Sequence, residues 1–242
     1  MRQTLIAFLL KINEFLVQKF KDYNHKLPYI ILVIIALFVV GASINIFIEL
    51  TETLKTEMLA NIDTQITDLV ISYRTPALTK YFIFMTEVGD FYGYVVVVSI
   101  YFFVSWLIFK RRRYVLQTTL VLILASISNM ILKRFIDRAR PGIEHMVSVE
   151  TLSYPSGHAM SAMAFYGFLI YLCTIFKISK LLKFCLIFLL SFIIMSIGLS
   201  RIYLGVHFPS DIAGGYIAGL IWVVFCVLIL NLIEIFRTDS SV

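Results

Sequence analysis

The sequence predicts an all-α integral membrane protein with six transmembrane helices, an interfacial N-terminal helix and a helical outer-face segment between helices one and two. Three observations carry this prediction. The 242 residues are 60% hydrophobic and only 15% charged, with a mean hydropathy of +0.90, a balance that cannot furnish the surface of a soluble domain of this size. The apolar residues gather into runs long enough to cross ~30 Å of hydrocarbon. The charged residues collect between those runs, most densely at Lys110, Arg111, Arg112 and Arg113. Three regions result: an amphipathic surface segment at 1–27, a six-helix domain at 28–237 and a short tail at 238–242.

Within residues 3–23, Leu5, Phe8, Leu9, Ile12, Leu16 and Phe20 fall roughly on one helical face among lysines, the pattern of a helix lying on the cytoplasmic membrane surface. Leu5 to Leu10 is too short an apolar core for a signal peptide, and no small-residue cleavage site follows it. The first span runs from Pro28, a residue tolerated in a first helical turn, to about residue 50. Residues 51–90 are mixed in polarity, with acidic residues outnumbering basic ones, and read as one or two interfacial helices broken near Pro76 that roof the polar region or wall off a lipid entrance. Gly89 ends them. The second span covers about 91–109, stopped by the four cations. The third covers about 114–132 and delivers Lys133. Pro141 and Gly142 then oppose helix continuation in the connector. The fourth span covers about 158–176, with Ala159, Ser161, Ala162 and Ala164 near its start permitting close packing. Lys177, Lys180 and Lys183 mark a turn before the fifth, at about 184–199. The sixth covers about 211–236, with Gly214, Gly215 and Gly219 giving a thin face. An even number of spans puts both termini on one side, and the loop cations make that side cytoplasmic.

The net charge of +6 does not point to nucleic acid, because the basic excess sits mostly in short loops facing anionic lipid. Cys173, Cys185 and Cys226 lie in apolar segments and are odd in number, so they read as buried thiols rather than a disulfide frame. No CxxC or Cys/His metal pattern appears. His25 and His145 read as exposed loop residues, and Trp106 and Trp222 as belt or packing residues.

Three polar clusters break the apolar sequence. Lys133 precedes Arg140-Pro141 by six intervening residues; Tyr154-Pro155-Ser156-Gly157-His158 comes next; Ser200-Arg201, His207 and Asp211 form the third. In the predicted topology all three meet at the outer face. Outward cations kept there against the positive-inside bias imply another use for them. Charge spreads over three oxygens in a phosphoryl-transfer transition state, and Lys133, Arg140 and Arg201 can neutralise it, the arginines by forked pairing. Ser156 and Gly157, just before a helix, offer backbone N–H groups as an anion cradle. A neutral imidazole can attack phosphorus while a carboxylate holds its other ring proton. The four-residue spacing of His207 and Asp211 favours this pair, sharing a helical face or, given Pro209, a turn. His158 would protonate the leaving oxygen and then take a proton from water. Arg134, Asp137 and Arg138 read chiefly as local salt bridges or headgroup contacts.

The clusters resemble the tripartite signature of the type-2 phosphatidic acid phosphatase family. Lys133, Arg140 and Pro141 match its first motif, Pro155 to His158 its second, and Ser200, Arg201, His207 and Asp211 its third. The resemblance implies a bacterial plasma-membrane lipid phosphatase with a phosphohistidine on His207, protonation by His158, orientation by Asp211, phosphate binding by Lys133, Arg140, Ser156, Gly157 and Arg201, and no metal or cofactor. The expected substrate is a lipid phosphate held in the bilayer, with undecaprenyl pyrophosphate preferred because Arg134 and Arg138 could meet a second phosphate. Phosphatidylglycerophosphate and phosphatidic acid are the alternatives. A phosphotransferase using the same site and a lipid-phosphate binding or transport protein are the competing readings. Nothing in the sequence sets an oligomeric state.

Overall fold

The computed structural model describes residues 27–109, 112–148 and 152–239. The predicted surface helix at 3–23, the tail from residue 240 onward, and Lys110 and Arg111 lie outside the described residues. Among the described residues every regular element is helical: α1 Leu27–Thr53, α2 Glu57–Ser72, α3 Pro76–Val88, α4 Phe91–Val104 continued by a π-turn at Ser105–Phe109, α5 Arg112–Ile136, α6 Gly157–Ile175, α7 Lys180–Tyr203 and α8 Pro209–Asp239. The chain divides into two units, Met1–Val39 and Val40–Val242. The second holds every helix from α2 onward and all three polar clusters.

Among the described residues five helices are long and apolar enough to cross a membrane, and a bent pair brings the number to six where it counts as one span. The 51–90 region is two helices, as the break near Pro76 predicts. Their ends are written in the sequence: Thr56 and Thr75 cap the first turns of α2 and α3, Pro76 occupies a first-turn position, and Gly89 closes α3. However, α3 is not only an interfacial helix. It meets α4 at an angle of 67° across a short break, and the two qualify as a bent span only together. Helix α7 extends about a turn further at both ends than apolar content suggests, so Ser200 and Arg201 stand on its last turn. Of the three thiols, Cys173 and Cys226 are buried as expected, whereas Cys185 is exposed near the start of α7, because that helix turns only part of its apolar surface inward.

Helix α6 is the axis of the bundle. Of its most apolar 18-residue stretch 56% is buried, against 11–28% in the other four single spans among the described residues, which fits its small-residue face. Met160, Ala164, Phe168 and Leu172 pack with Val121 and Ala125 of α5 and Ala218 and Cys226 of α8. On another side, Ala162 and Phe165 pack with Tyr94 of α4 and Ile194 and Ile197 of α7. The glycines of α8 permit this closeness: a Cβ at Gly215 would come within 2.7 Å of the Ser156 carbonyl oxygen, and one at Gly219 within 2.6 Å of that of Met160. The N-termini of α6 and α8 are thereby held together, and the Ser156 N–H donates to the Asp211 carbonyl at 3.0 Å.

Candidate active site

The ends of α5 and α7, the beginnings of α6 and α8, and the connectors between them converge on one polar cavity of about 420 Å³. Lys133, Arg140, Gly157, His158, Arg201 and His207 line it. Six of the eight residues singled out in the sequence thus share one wall. The other two, Ser156 and Asp211, are fully buried behind it. Ser156 caps α6, its hydroxyl oxygen accepting from the Ala159 N–H. Its own N–H is already committed to Asp211, so of the two expected cradle amides it is Gly157 that borders the cavity. A Cβ on Gly157 would lie 2.9 Å from Asn129 Oδ1, so only glycine leaves that wall undisturbed.

His207 sits in the turn before α8, and Pro209 starts the helix as the first helical residue, which resolves the choice between helix and turn. Asp211 Oδ2 accepts from the Phe208 N–H at 2.8 Å and from the Ser153 hydroxyl at 2.5 Å, and faces His207 Nδ1 at 3.3 Å. On the opposite ring edge, Arg140 Nη1 lies 3.2 Å from His207 Nε2. A guanidinium only donates, so Nε2 carries the lone pair and Nδ1 the proton, pointed at the carboxylate. That is the tautomer a nucleophilic imidazole needs. Burial pushes the His207 pKa down to about 3, outweighing the hydrogen bond and charge of Asp211, which raise it, while Arg201 and Arg140 add to the lowering.

Because the folded-state pKa lies below the ordinary histidine value of about 6.5, the unfolded chain takes up a proton at His207 that the folded chain refuses. The associated stability is present above that value and is lost as pH falls toward about 3. Thermal unfolding in detergent is therefore expected to show a falling Tm across this window, and His207→Gln should flatten part of the slope. An unchanged slope would mean that His207 is not held neutral.

Two of the three cations are held from behind by backbone carbonyls. Lys133 Nζ donates to the Leu152 carbonyl at 2.7 Å and Arg140 Nη1 to that of Val206 at 2.6 Å. Arg201 donates through Nη1 to Thr86 Oγ1 on α3, while its Nε is buried without a hydrogen-bond partner. Sequence reasoning missed Ser153 and Thr86, which touch the motif residues Asp211 and Arg201, and Asp63, which is joined to Asp211 through Arg138. Arg138 is ion-paired, though with distant rather than local partners: Nη1 lies 2.6 Å from Asp211 and Nη2 2.8 Å from Asp63. Neither Arg134 nor Arg138 lines the polar cavity, whereas Glu87 and Asp90 do. Among the described residues no three or more His, Cys, Asp or Glu side chains gather as metal ligands would.

A second cavity of about 650 Å³, mostly apolar, shares Asp90, Gly157 and His158 with the first and runs between α4 and α5. Its walls include Phe91, Val95, Ile123 and Met130, all exposed on the helices' outer faces.

The comparisons with known proteins agree with this arrangement. Phosphatidylglycerophosphatase B of Bacillus subtilis (strain 168) is 36% identical over 96 residues, 38% of this chain and 46% of that protein. The match thus spans about half the length of that curated relative. The crystal structure of a PAP2-type phosphatidylglycerolphosphate phosphatase from Bacillus subtilis superposes with a TM-score of 0.72 at 26% identity, covering 78% of this chain and 94% of the other. Aquifex aeolicus LpxE shares the fold, with a TM-score of 0.55 at 23% identity over 68% of this chain and 93% of the other. The PAP2 superfamily profile matches residues 114–234, half of the chain, from the start of α5 into α8 and across all three polar clusters. With both the motif order and the helical frame in agreement, the chain belongs to the PAP2 superfamily.

Proposed function

We propose that this protein hydrolyses the phosphomonoester of a membrane glycerophospholipid, phosphatidylglycerophosphate or a close relative, through a phosphohistidine on His207. The observation that carries this reading is the single cavity bordered by Lys133, Arg140, Arg201 and both histidines, which shares the wall at His158 with an apolar cavity. The phosphate binds among the three cations and the Gly157 amide, which neutralise charge on its oxygens. A phosphate oxygen draws Arg140 away from His207, whose Nε2 lone pair then attacks phosphorus while Asp211 holds the Nδ1 proton. The P–O bond to the lipid breaks, and His158 gives its proton to the departing oxygen. His158 next takes a proton from water, whose oxygen attacks phosphorus; the P–N bond breaks and inorganic phosphate leaves. The lipid tails occupy the apolar cavity.

The preference for undecaprenyl pyrophosphate rests on Arg134 and Arg138 as partners for a second phosphate. It loses that support, because both stand off the cavity and two carboxylates, Glu87 and Asp90, border it instead. A carboxylate repels a second phosphate and accepts hydrogen bonds from glycerol hydroxyls. The similarity to phosphatidylglycerophosphate phosphatases favours the same substrate class. The domain assigned to 28–237 is the unit of activity in this reading. The site faces outward and both termini face the cytoplasm, as Lys177, Lys180 and Lys183 in the opposite turn suggest.

The test is phosphate release in EDTA by purified protein offered phosphatidylglycerophosphate, phosphatidic acid and undecaprenyl pyrophosphate side by side. The diacyl monoesters are expected to be cleaved about 10-fold faster or more, the scale of a few unfavourable charge contacts. Faster cleavage of the pyrophosphate would overturn the substrate assignment. A phosphorylated acceptor in place of free phosphate would make the protein a transferase.

A further inference from the structure

We infer that Asp63, on the outer helix α2, is a positioning residue for the His207–Asp211 pair, acting through Arg138 and Ser210. The inference rests on the phosphohistidine mechanism. Asp63 is 1% exposed although it belongs to a segment of mixed polarity far in sequence from every motif residue. Both of its carboxylate oxygens are used. Oδ1 accepts from the Ser210 N–H at 2.9 Å; Oδ2 accepts from the Ser210 hydroxyl at 2.5 Å and from Arg138 Nη2 at 2.8 Å. Arg138 then donates through Nη1 to Ser210 Oγ at 2.7 Å and to Asp211 Oδ1 at 2.6 Å. Its guanidinium is further fixed 4.6 Å over the Phe208 ring. Asp137, with φ of +45°, turns the chain sharply after α5 and brings Arg138 back toward the site.

The result is a closed clamp around the first turn of α8, with one cation between two buried carboxylates. A carboxylate buried this deeply is costly unless paired, and a merely structural pair would need one acid. Two acids on one guanidinium have a different effect on the imidazole. Were Arg138 paired with Asp211 alone, its whole charge would offset the negative charge that Asp211 presents to the His207 Nδ1 proton. Asp63 takes up part of that positive charge and leaves Asp211 effectively anionic toward His207, which gains positive charge as its Nε2 bonds to phosphorus. Through Ser210 the same residue fixes where the first turn of α8 begins, and hence the position of Asp211. Asp63 lies outside the 114–234 stretch that matches the family profile, so α2 supports the reacting pair from beyond that stretch.

The test compares Asp63→Asn, which keeps size and removes charge, with the native protein. The expected result is a kcat lower by about 10-fold with KM within about 2-fold, since displacement of groups behind a reacting centre costs rate rather than binding. In an Asp211→Asn background, measured in single turnover, the same substitution should cost less than about 2-fold, because residues acting as a unit are not additive. A readout independent of turnover is the 15N spectrum of histidine-labelled protein, with the His207 signal assigned by its loss in His207→Gln. That signal should report an Nδ1-protonated ring in the native protein and move toward tautomer averaging in Asp63→Asn. If Asp63→Asn does not fold, Ser210→Ala removes only the bridging hydroxyl and should lower kcat by about 3-fold with the same spectral trend. An unchanged kcat, an undiminished loss in the Asp211→Asn background, or an unmoved His207 signal would overturn the clamp. A native protein that releases no phosphate would instead overturn the phosphatase reading, and the His207 spectrum would still decide the clamp.

Discussion

The protein carrying His207→Gln is expected to release phosphate at least about 10⁴-fold more slowly than the native chain, because in the proposed mechanism the substitution removes the nucleophile and abolishes the covalent route altogether. Glutamine approximates the size of imidazole and can still donate toward Asp211, so the fully buried pocket does not collapse. The loss should appear in kcat, with substrate still bound by Lys133, Arg140 and Arg201. Acid-labile, alkali-stable phosphate trapped on the native protein and absent from His207→Gln would identify the phosphoramidate bond. A variant within 10-fold of native would place the nucleophile elsewhere, and His158 would be the residue to replace next.

The second large effect is expected at Arg201, where lysine should lower kcat/KM by about 10²–10³-fold, the usual cost of removing one preorganised donor from a site of developing charge. Arg201 is buried on the last turn of α7, anchored through Nη1 to Thr86, with Nε unpartnered. A guanidinium held at one corner still offers further N–H groups in a fixed plane, which suit two oxygens of one phosphate. A lysine spends its point charge on either Thr86 or the phosphate. Thr86→Val should have a smaller effect than Arg201→Lys, since it loosens the fork without removing it. Equal effects would show that anchoring, rather than the fork, is what matters.

Much of this architecture is legible in the sequence because its signals are local. Each span is a contiguous apolar run, and the three polar clusters have fixed internal spacings. The site residues can be named for the same reason: Lys133 to Arg140, Pro155 to His158 and Arg201 to Asp211 are short stretches at helix ends, and the topology brings those ends together. What is not legible is long-range. Asp63 and Arg138 are 75 residues apart, and Thr86 and Arg201 are 115 apart. Nothing periodic in α2 or α3 separates a buried acid or threonine from the exposed ones beside it. Ser153 escapes notice although it directly precedes the second cluster, because a serine before an aromatic residue carries no signal until Asp211 is known to face it. Arg138 shows the opposite error. Its charge encourages a second-phosphate reading, while its partners consume that charge inside the protein.

In the proposed function, the residues shared by the two cavities at His158 also govern how the enzyme meets its substrate. A lipid that approaches between α4 and α5 does so within the plane of the bilayer, so its effective abundance is the number of substrate molecules per unit of surface rather than per unit of solution. The products part into different phases: the dephosphorylated lipid drifts back sideways among its neighbours, while phosphate escapes into water. Each turnover thus separates its own products, and the reverse reaction would need both to meet again at one imidazole.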